Sequence, residues 1–424
     1  MNRLSKSRRH SMGHRRRDAS GKPIAIVLSK SIEVVRPLAL AGIRCGIVAG
    51  PDDPARFSRY TSTIFNWDWS KSSRERDDEL VERLMQYGQS QPEPPVLFYP
   101  CDDSLLFVSR HREELSKAFR FTIADAATVE ALVDKVRFSA LAEELSLPVP
   151  ATMILVPGSD PSPPDVSHLG FPLIIKPHRR NVVWGSVEPT HKALRVDDME
   201  EFQSVWPRLS ALGQTIVAQQ HVGGSESRIE SYHVYIDRAH QVVAEFTGRK
   251  LRTLPASYGH TTALTLTNAD DVARRGRELA RALGLLGVAK FDFKRSPDGE
   301  LYLLEVNPRF NLWHHPGARA GMNIPALVYS DLAARPRPKI AQPRDGVRWC
   351  HPQDFLAARE ANVPFVRWFP WILGCEAKAY WSWNDPMPFV GTVVSRIVKG
   401  KLGVRDDPFP EHTGSAGSTL NGVA

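Results

Sequence analysis

Cysteine is scarce in this 424-residue chain: Cys45, Cys101, Cys350 and Cys375 stand far apart and form no C-x-x-C pair. That spacing indicates neither a zinc knuckle nor a disulfide framework, and a reducing, cytoplasmic setting fits it. Long apolar runs are missing too. None approaches the ~20 residues of a spanning helix, so no transmembrane segment is expected. Acidic residues are nearly absent from positions 1–22, where eight Lys and Arg face Asp18 alone. Eight cations less one acid put +7 of the net +8 in this arm and leave +1 for the other 402 residues. A near-neutral body disfavours a polyanion-binding core. Arg8-Arg9 opens the arm like an export signal, but the apolar stretch and cleavage site of such a signal do not follow. The expected state is a solvated, disordered arm, with translation starting at Met1 or Met12. What is present supports a large fold. With 42% hydrophobic and 24% charged residues, the chain can bury a core, and ~150 residues per domain suggests roughly three domains.

Ile24–Leu28, Cys45–Ala49, Val96–Tyr99 and Phe121–Ala124 read as strands, with helical stretches to Ala41 and near Asp77–Gln89 and His111–Phe119. Alternation of this kind predicts a parallel α/β layer. The first turn, Leu28-Ser29-Lys30-Ser31, lacks the glycines that grip a dinucleotide pyrophosphate, so the layer is Rossmann-like in shape without that cofactor. Ala126–Leu145 has helical spacing and ends at Leu147-Pro-Val-Pro150. Pro157–Pro164 reads as a surface loop. Phe171–Lys176, Thr215–Gln219, Val234–Ile236 and Val242–Phe246 read as strands, the last two as an antiparallel pair. Asn268 is placed to cap a helix to about Leu283 that buries Val272, Gly276, Leu279 and Leu283. After a proline-rich linker, Arg335–Pro343, the tail carries Trp349, Trp368, Trp371, Trp381 and Trp383. It reads as a segment packed on the main body, with a membrane or partner surface as the other reading.

The most informative segment is Gly287–Phe310, GVAKFDFKRSPDGELYLLEVNPRF. Two strand-like runs flank Ser296-Pro-Asp-Gly299, which is turn chemistry. Centring the turn between Asp298 and Gly299 sets Asp292 directly opposite Glu305, and alternation puts Asn307 on Glu305's face. Opposed carboxylates repel unless a cation lies between them. Hard divalent ions are often held by one or two carboxylates plus substrate phosphates. The trio therefore reads as a phosphate-bound Mg²⁺ site, or else as an exposed hairpin with scattered acids. Asn307-Pro308-Arg309 delivers a guanidinium beside it. Upstream lie Asp134-Lys135-Val-Arg-Phe138 opening a helix, Ile174-Ile-Lys176-Pro177 closing a strand, and Val217–Gly224, a strand running into a glycine turn.

The order DKxxF, IIKP, hinge strand, Gly248-Arg-Lys-Leu-Arg252, KFDF and LLEVNPRF resembles the ATP-grasp superfamily. Within it, GRKLR and WSWNDPMPF resemble carboxylate–amine ligases related to D-aspartate ligase. The resemblance implies an α/β and α+β chain: an ATP-grasp fold with an N-terminal Rossmann-like domain and a small C-terminal extension. The implied division is an arm at 1–22, a pre-ATP-grasp domain at 23–125, an ATP-grasp domain at 126–334 (subdomains about 126–214 and 215–334) and an extension at 335–424. It also implies ATP with one or two Mg²⁺ ions, or Mn²⁺ in their place. Lys135 and Lys176 match the lysines on ATP phosphates, where fixed cations neutralise concentrated charge. Gln219, Gln220 and Val222 match the hinge along adenine, with backbone contacts from Gln220 and Val222, and Glu226 matches a ribose contact. A flap over the phosphates is implied near His178–Val187. Asp292, Glu305 and Asn307 match the metal ligands, and Arg309, with Lys250, the catalytic cations. Arg249, Arg252 and His314 fall where substrate is expected, an arginine fork being suited to a carboxylate.

The implied activity is a ligase that activates a carboxylate as an acyl phosphate and joins it to an amine. A carboxylate–thiol ligase, an ATP-binding protein without ligase activity and a nucleic-acid binder acting through the arm are the alternatives. Small-molecule carboxylate and amine partners follow, no nucleic acid is expected for the core, and a homo-oligomer is compatible with the sequence.

Overall fold

The computed structural model describes residues 22–28, 32–71, 74–157, 162–178, 184–188 and 193–401. The basic arm to residue 21, most of the first turn (29–31), much of the expected flap (179–183) and residues 402–424 lie outside the described residues.

The chain opens with β1 (Ala25–Leu28), α1 (Ile32–Leu40), β2 (Cys45–Ala49), β3 (Thr61–Asn66), α2 (Arg74–Gln89), β4 (Val96–Phe98), α3 (Asp102–Arg110) and α4 (Arg112–Leu115). Its four strands form a parallel sheet in the order β3-β2-β1-β4. β1, β2 and β4 are buried along their whole length, as expected when helices cover both faces of a parallel sheet. Two expectations fail here. Phe121–Ala124 is not a strand, because the pairing beside β4 stops at one bridge between Val96 and Arg120. β3 takes the fourth place, an edge strand whose half-exposed pattern hid it.

A second, antiparallel sheet follows α5 (Ala126–Val133) and α6 (Lys135–Glu144). Asp134 divides the helical stretch expected as one, because its carboxylate accepts the amides of Val136 and Arg137 and caps α6. β5 (Thr152–Leu155), β6 (Leu173–Pro177), β7 (Leu194–Val196), α7 (Met199–Ser210) and β8 (Ile216–Gln220) build the sheet in the order β5-β8-β6-β7.

The third sheet contains β9 (Ile229–Ile236), β10 (Val242–Leu254) and β11 (His260–Thr267), then α8 (Asp270–Ala282), β12 (Gly287–Arg295) and β13 (Leu301–Asn307). α9 (His314–Arg319) and α10 (Ile324–Leu332) pack behind it. β14 (Arg348–Cys350), α11 (Asp354–Glu360), α12 (Phe365–Leu373), β15 (Ala377–Lys378) and α13 (Met387–Lys401) complete the described chain. The strand order is β13-β12-β9-β10-β11-β14-β15, so the tail extends this sheet by two strands. α8 buries Val272, Gly276 and Leu279 as expected, but its N-cap is Ala269 rather than Asn268.

The N-terminal layer and the large sheet share one hydrophobic core. The small sheet has its own, built around Leu173, Trp184, Phe202 and Trp206. Tail and first layer are pinned together by Arg36, whose guanidinium donates to the carbonyls of Lys378 (2.8 Å), Ala379 (2.9 Å) and Tyr380 (2.7 Å). Asp385 in turn accepts from Ser58 Oγ and the Arg59 amide. All four cysteines are buried and unbridged, yet the fold brings two of them together: Cys350 and Cys375 are hydrogen-bonded neighbours, and that bond and burial raise the Cys350 thiol.

Candidate active site

β12 and β13 meet through Ser296-Pro-Asp-Gly299, where Gly299 takes φ +98°, a left-handed conformation glycine adopts readily. The register pairs Asp292 with Glu305 and Lys290 with Asn307 as expected, but not by way of the turn: next to it Arg295 pairs with Leu301 and Lys294 with Tyr302, one residue off the expected centre, and a slip between Asp292 and Phe293 restores the pairing. Asp292 is 1% exposed. One of its oxygens accepts from Ser231 Oγ; the other lies 2.7 Å from Lys290 Nζ and 3.4 Å from Lys250 Nζ. Burial by itself would raise this carboxyl. The charges of Lys250 and Lys290, with the hydrogen bond from Ser231, overcome burial and hold it well below the usual carboxylate range. Lys290 also lies 3.7 Å from Glu305. Lys250 is held charged in the same way: burial opposes its ammonium, and Asp292, Glu305 and Glu226 together raise it.

Asn307 links the hairpin to Arg309. Its Nδ2 donates to Glu305 Oε1 (3.0 Å), and its Oδ1 accepts from Arg309 Nη2 (3.1 Å). The other side of the guanidinium belongs to the N-terminal layer, where Asp102 at the start of α3 accepts from Nε and Pro100 O from Nη1 (3.4 Å). Asp103 beside it is raised to about 6 by burial and by Asp102.

The small sheet carries the second set of cations. Lys135, at the first position of α6, donates to the carbonyls of Pro177 and His178, both at 3.2 Å. Lys176 at the end of β6 donates to Gln219 Oε1 at 2.9 Å, and Gln219 Nε2 reaches Thr152. Burial and the Lys135 charge lower the Lys176 ammonium to about 8, while Glu305 and Glu226 act in the opposite sense. Charges on the two sheets therefore lie within electrostatic reach of one another. Glu226, one of them, is 3.4 Å from the buried Lys294. The Gln220 amide donates to Ala151 O at 2.8 Å, so that donor is engaged within the small sheet.

Three further expectations are revised. Arg249 and Lys250 are successive residues of β10 and point to opposite faces, so Arg249 is exposed on the other side of the sheet. Arg252 follows a register break and turns to the tail. Asp354 accepts from its Nε (2.8 Å) and Nη2 (2.6 Å), and Trp371 lies under the guanidinium at 4.3 Å. His314 is buried beside His233 and Phe310, and burial lowers it to about 3, so it stands neutral in the core. Gly248 contributes differently from its basic neighbours: a Cβ there would come 2.4 Å from the Trp313 ring, so the glycine lets Trp313 lie on the strand.

Sequence reading missed Lys290, Ser231 and Asp102. Alternation could have found Lys290, two residues before Asp292 on the same face; Ser231 and Asp102 come from distant strands and carry no motif. The donor set suits a hard cation. Asp292, Glu305 and Asn307 offer only oxygens, and buried Asp292 Oδ2 has no hydrogen bond of good geometry despite its ion pairs. Among the described residues, no three His, Cys, Asp or Glu side chains form a self-sufficient metal cluster. An ion here would lean on phosphate oxygens for further ligands, as Mg²⁺ commonly does.

Residues 236–354 match the model of a family described as ATP-grasp in the biosynthetic pathway with Ter operon. Over 272 residues the chain is 28% identical to D-aspartate ligase of Enterococcus faecium, covering 60% of this chain and 62% of that protein. It is 24% identical over 208 residues to D-alanine–D-alanine ligase of Neisseria gonorrhoeae, 47% of this chain and 65% of that protein. The match thus spans less than two thirds of either relative. Among solved structures, N5-carboxyaminoimidazole synthetase from Staphylococcus aureus complexed with ADP superposes with TM-score 0.56 at 12% identity, covering 76% of this chain and 80% of that one. L-amino acid ligase from Bacillus licheniformis gives 0.55 at 15%, covering 75% and 76%. The chain carries an ATP-grasp domain, has the ATP-grasp fold, and counts D-aspartate ligase among its homologues.

Proposed function

We propose that the protein is an ATP- and Mg²⁺-dependent carboxylate–amine ligase. One observation carries the reading: Asp292 opposite Glu305, with Lys250, Lys290 and Arg309 beside them, within electrostatic reach of Lys176 and Lys135 on the small-sheet side. A cleft lined by these groups would suit a nucleoside triphosphate, whose charge needs both fixed cations and a metal held by carboxylates. Mg²⁺ or Mn²⁺ held by Asp292, Glu305 and Asn307 would draw charge from the phosphates. Lys135 and Lys176 would fix the phosphate chain, and Val222 with Glu226 would hold the nucleoside.

In the reaction, a carboxylate oxygen attacks the γ-phosphorus and ADP leaves. An amine nitrogen then attacks the carbonyl carbon of the acyl phosphate, phosphate departs, and the nitrogen loses a proton. Arg309, steadied by Asp102 and Asn307, would meet the negative charge that develops on the transferring group. The relatives are named for D-aspartate, D-alanine and L-amino acids, so we assign the amine or carboxylate to the amino-acid class.

ADP release measured against a panel of D- and L-amino acids and small carboxylates tests this. An amine-dependent turnover that falls by about 100-fold or more in Asp292→Asn and Glu305→Gln is expected. Full activity in both variants, or no acceptor stimulation across the panel, would sink the assignment. Turnover with thiols alone would redirect it to a carboxylate–thiol ligase.

A further inference from the structure

The tail packs on the body at Trp349 and through Arg252, as its aromatic content led us to expect, yet it also presents apolar surface outward. α12, FVRWFPWIL, has no buried residue. Val366 is 77% exposed, and Phe365, Phe369 and Leu373 all stand well out of the protein. These groups are not scattered. Phe355 of α11 meets Trp368 at 5.2 Å, Trp368 meets Phe365 at 5.8 Å, and Phe365 stacks on Phe369 at 5.4 Å. Leu373 then lines a cavity of about 470 Å³ together with Trp383, Arg319 and Lys378, which joins α12 to the segment before α13. Trp383 is 86% exposed, and Met387, Val390, Val393 and Val394 of α13 are exposed apolar side chains as well. Contiguous apolar surface of this kind marks an interaction site.

Its charge selects the partner. Neither α12 nor α13 contains an acidic residue, and α12 supplies the exposed Arg367. From α11 to α13 the exposed acids are Glu360 and Glu376, while Asp354 and Asp385 are buried against Arg252 and Arg36. Arg359 adds a further cation over the Phe355 ring. A second copy would bring the same basic face against itself, with like charges opposed. The apolar side chains of α12 protrude, and the cavity beside the helix takes Leu373 alone from it, whereas a peptide partner would seat its anchors in a groove. Protruding Phe, Trp, Val and Leu with Arg319, Arg359, Arg367 and Lys378 beside them, against the two exposed acids Glu360 and Glu376, is a composition of the kind that lies in the interface of an anionic bilayer. We propose that α11, α12 and the segment leading through α13 dock the protein peripherally on anionic lipid. The apolar tips enter the headgroup boundary, and no segment crosses: among the described residues no helix is long and apolar enough to do so. Stable attachment takes an apolar and a basic signal together, and the arm's +7 adds to the second. This docking is independent of the ligase assignment.

Co-sedimentation of the full chain with vesicles of phosphatidylcholine mixed with phosphatidylglycerol tests it, with pure phosphatidylcholine as the reference. Binding to the mixed vesicles is expected to exceed the reference, to weaken with salt, and to drop at least about tenfold in the Val366→Asp, Phe369→Asp double variant. Arg367→Glu should weaken it less. Both positions are exposed, so melting temperature should not move; a chain without residues 1–21 should retain part of the binding. The proposal is overturned by an absence of vesicle binding, by binding that the face variants leave intact, or by binding lost wholly with the arm. A self-association abolished by the same variants would assign the face to a second copy instead.

Discussion

Lys176 has neighbours of opposite effect, Lys135 pushing its proton off and the carboxylates of Glu305 and Glu226 holding it on. Its value of about 8 lies below the ordinary 10.5, so the folded chain binds fewer protons than the unfolded one between those values. Folding is therefore helped as pH climbs through that window, whereas a phosphate ligand loses a cation over the same range. ATP affinity measured by calorimetry should weaken by up to about tenfold from pH 7 to pH 9, the ratio of protonated fractions. Lys176→Arg should flatten that dependence because a guanidinium stays charged. At this scale, legibility followed locality. Asp292, Glu305, Asn307 and Arg309 sit on one hairpin and its exit, so facing residues are near in sequence, although a slip beside Asp292, which no local signal announces, is what sets it against Glu305. Arg252 and His314 were misjudged because their surroundings, Asp354 and the His233 face of β9, lie 102 and 81 positions away.

At the scale of elements, α6 shows how a cap can serve a site. Asp134 holds the first turn through two amides and leaves Lys135 at the start of the helix, reaching the end of β6. Asp134→Ala should cost about 1 kcal/mol in urea unfolding. Because the frayed turn carries Lys135, ATP affinity should fall as well; Asp134→Ser should restore most of the stability. The two strands of the hairpin and the buried face of α8 were readable since strand and helix periods repeat locally. β3 was not, because an edge strand carries a weak pattern. Phe121–Ala124 misled for the opposite reason: its apolar content serves core contacts beside β4 without a ladder.

Across the whole molecule, two cores divide the labour. The small sheet, with its separate core, carries Lys135 and Lys176, while the large sheet and N-terminal layer hold the acids and Arg309. The tail braces the large sheet through Asp354, which is fully buried and takes bonds from Arg252, Thr262 and Trp368. Asp354→Ala would strand a largely buried guanidinium and should destabilise by about 3–5 kcal/mol in chemical denaturation. Arg252→Met with Asp354→Leu should recover much of that loss. The parallel class of the first sheet and the antiparallel pairings of β9 with β10 and β12 with β13 were legible from alternation and turn residues. The tail's place was not, since nothing local in β14 or β15 announces a long-range partner. That partnership has a consequence for biosynthesis. Arg36 finds its carbonyls 342 to 344 residues downstream, so the first layer cannot complete its bonding while only the first half of the chain has been made. At the usual ~5–20 residues per second, a nascent chain waits roughly 20–70 s with that guanidinium unfilled. Through that interval the opening layer carries a cation without its native acceptors, and that bonding is completed only after residues 378–385 have been made.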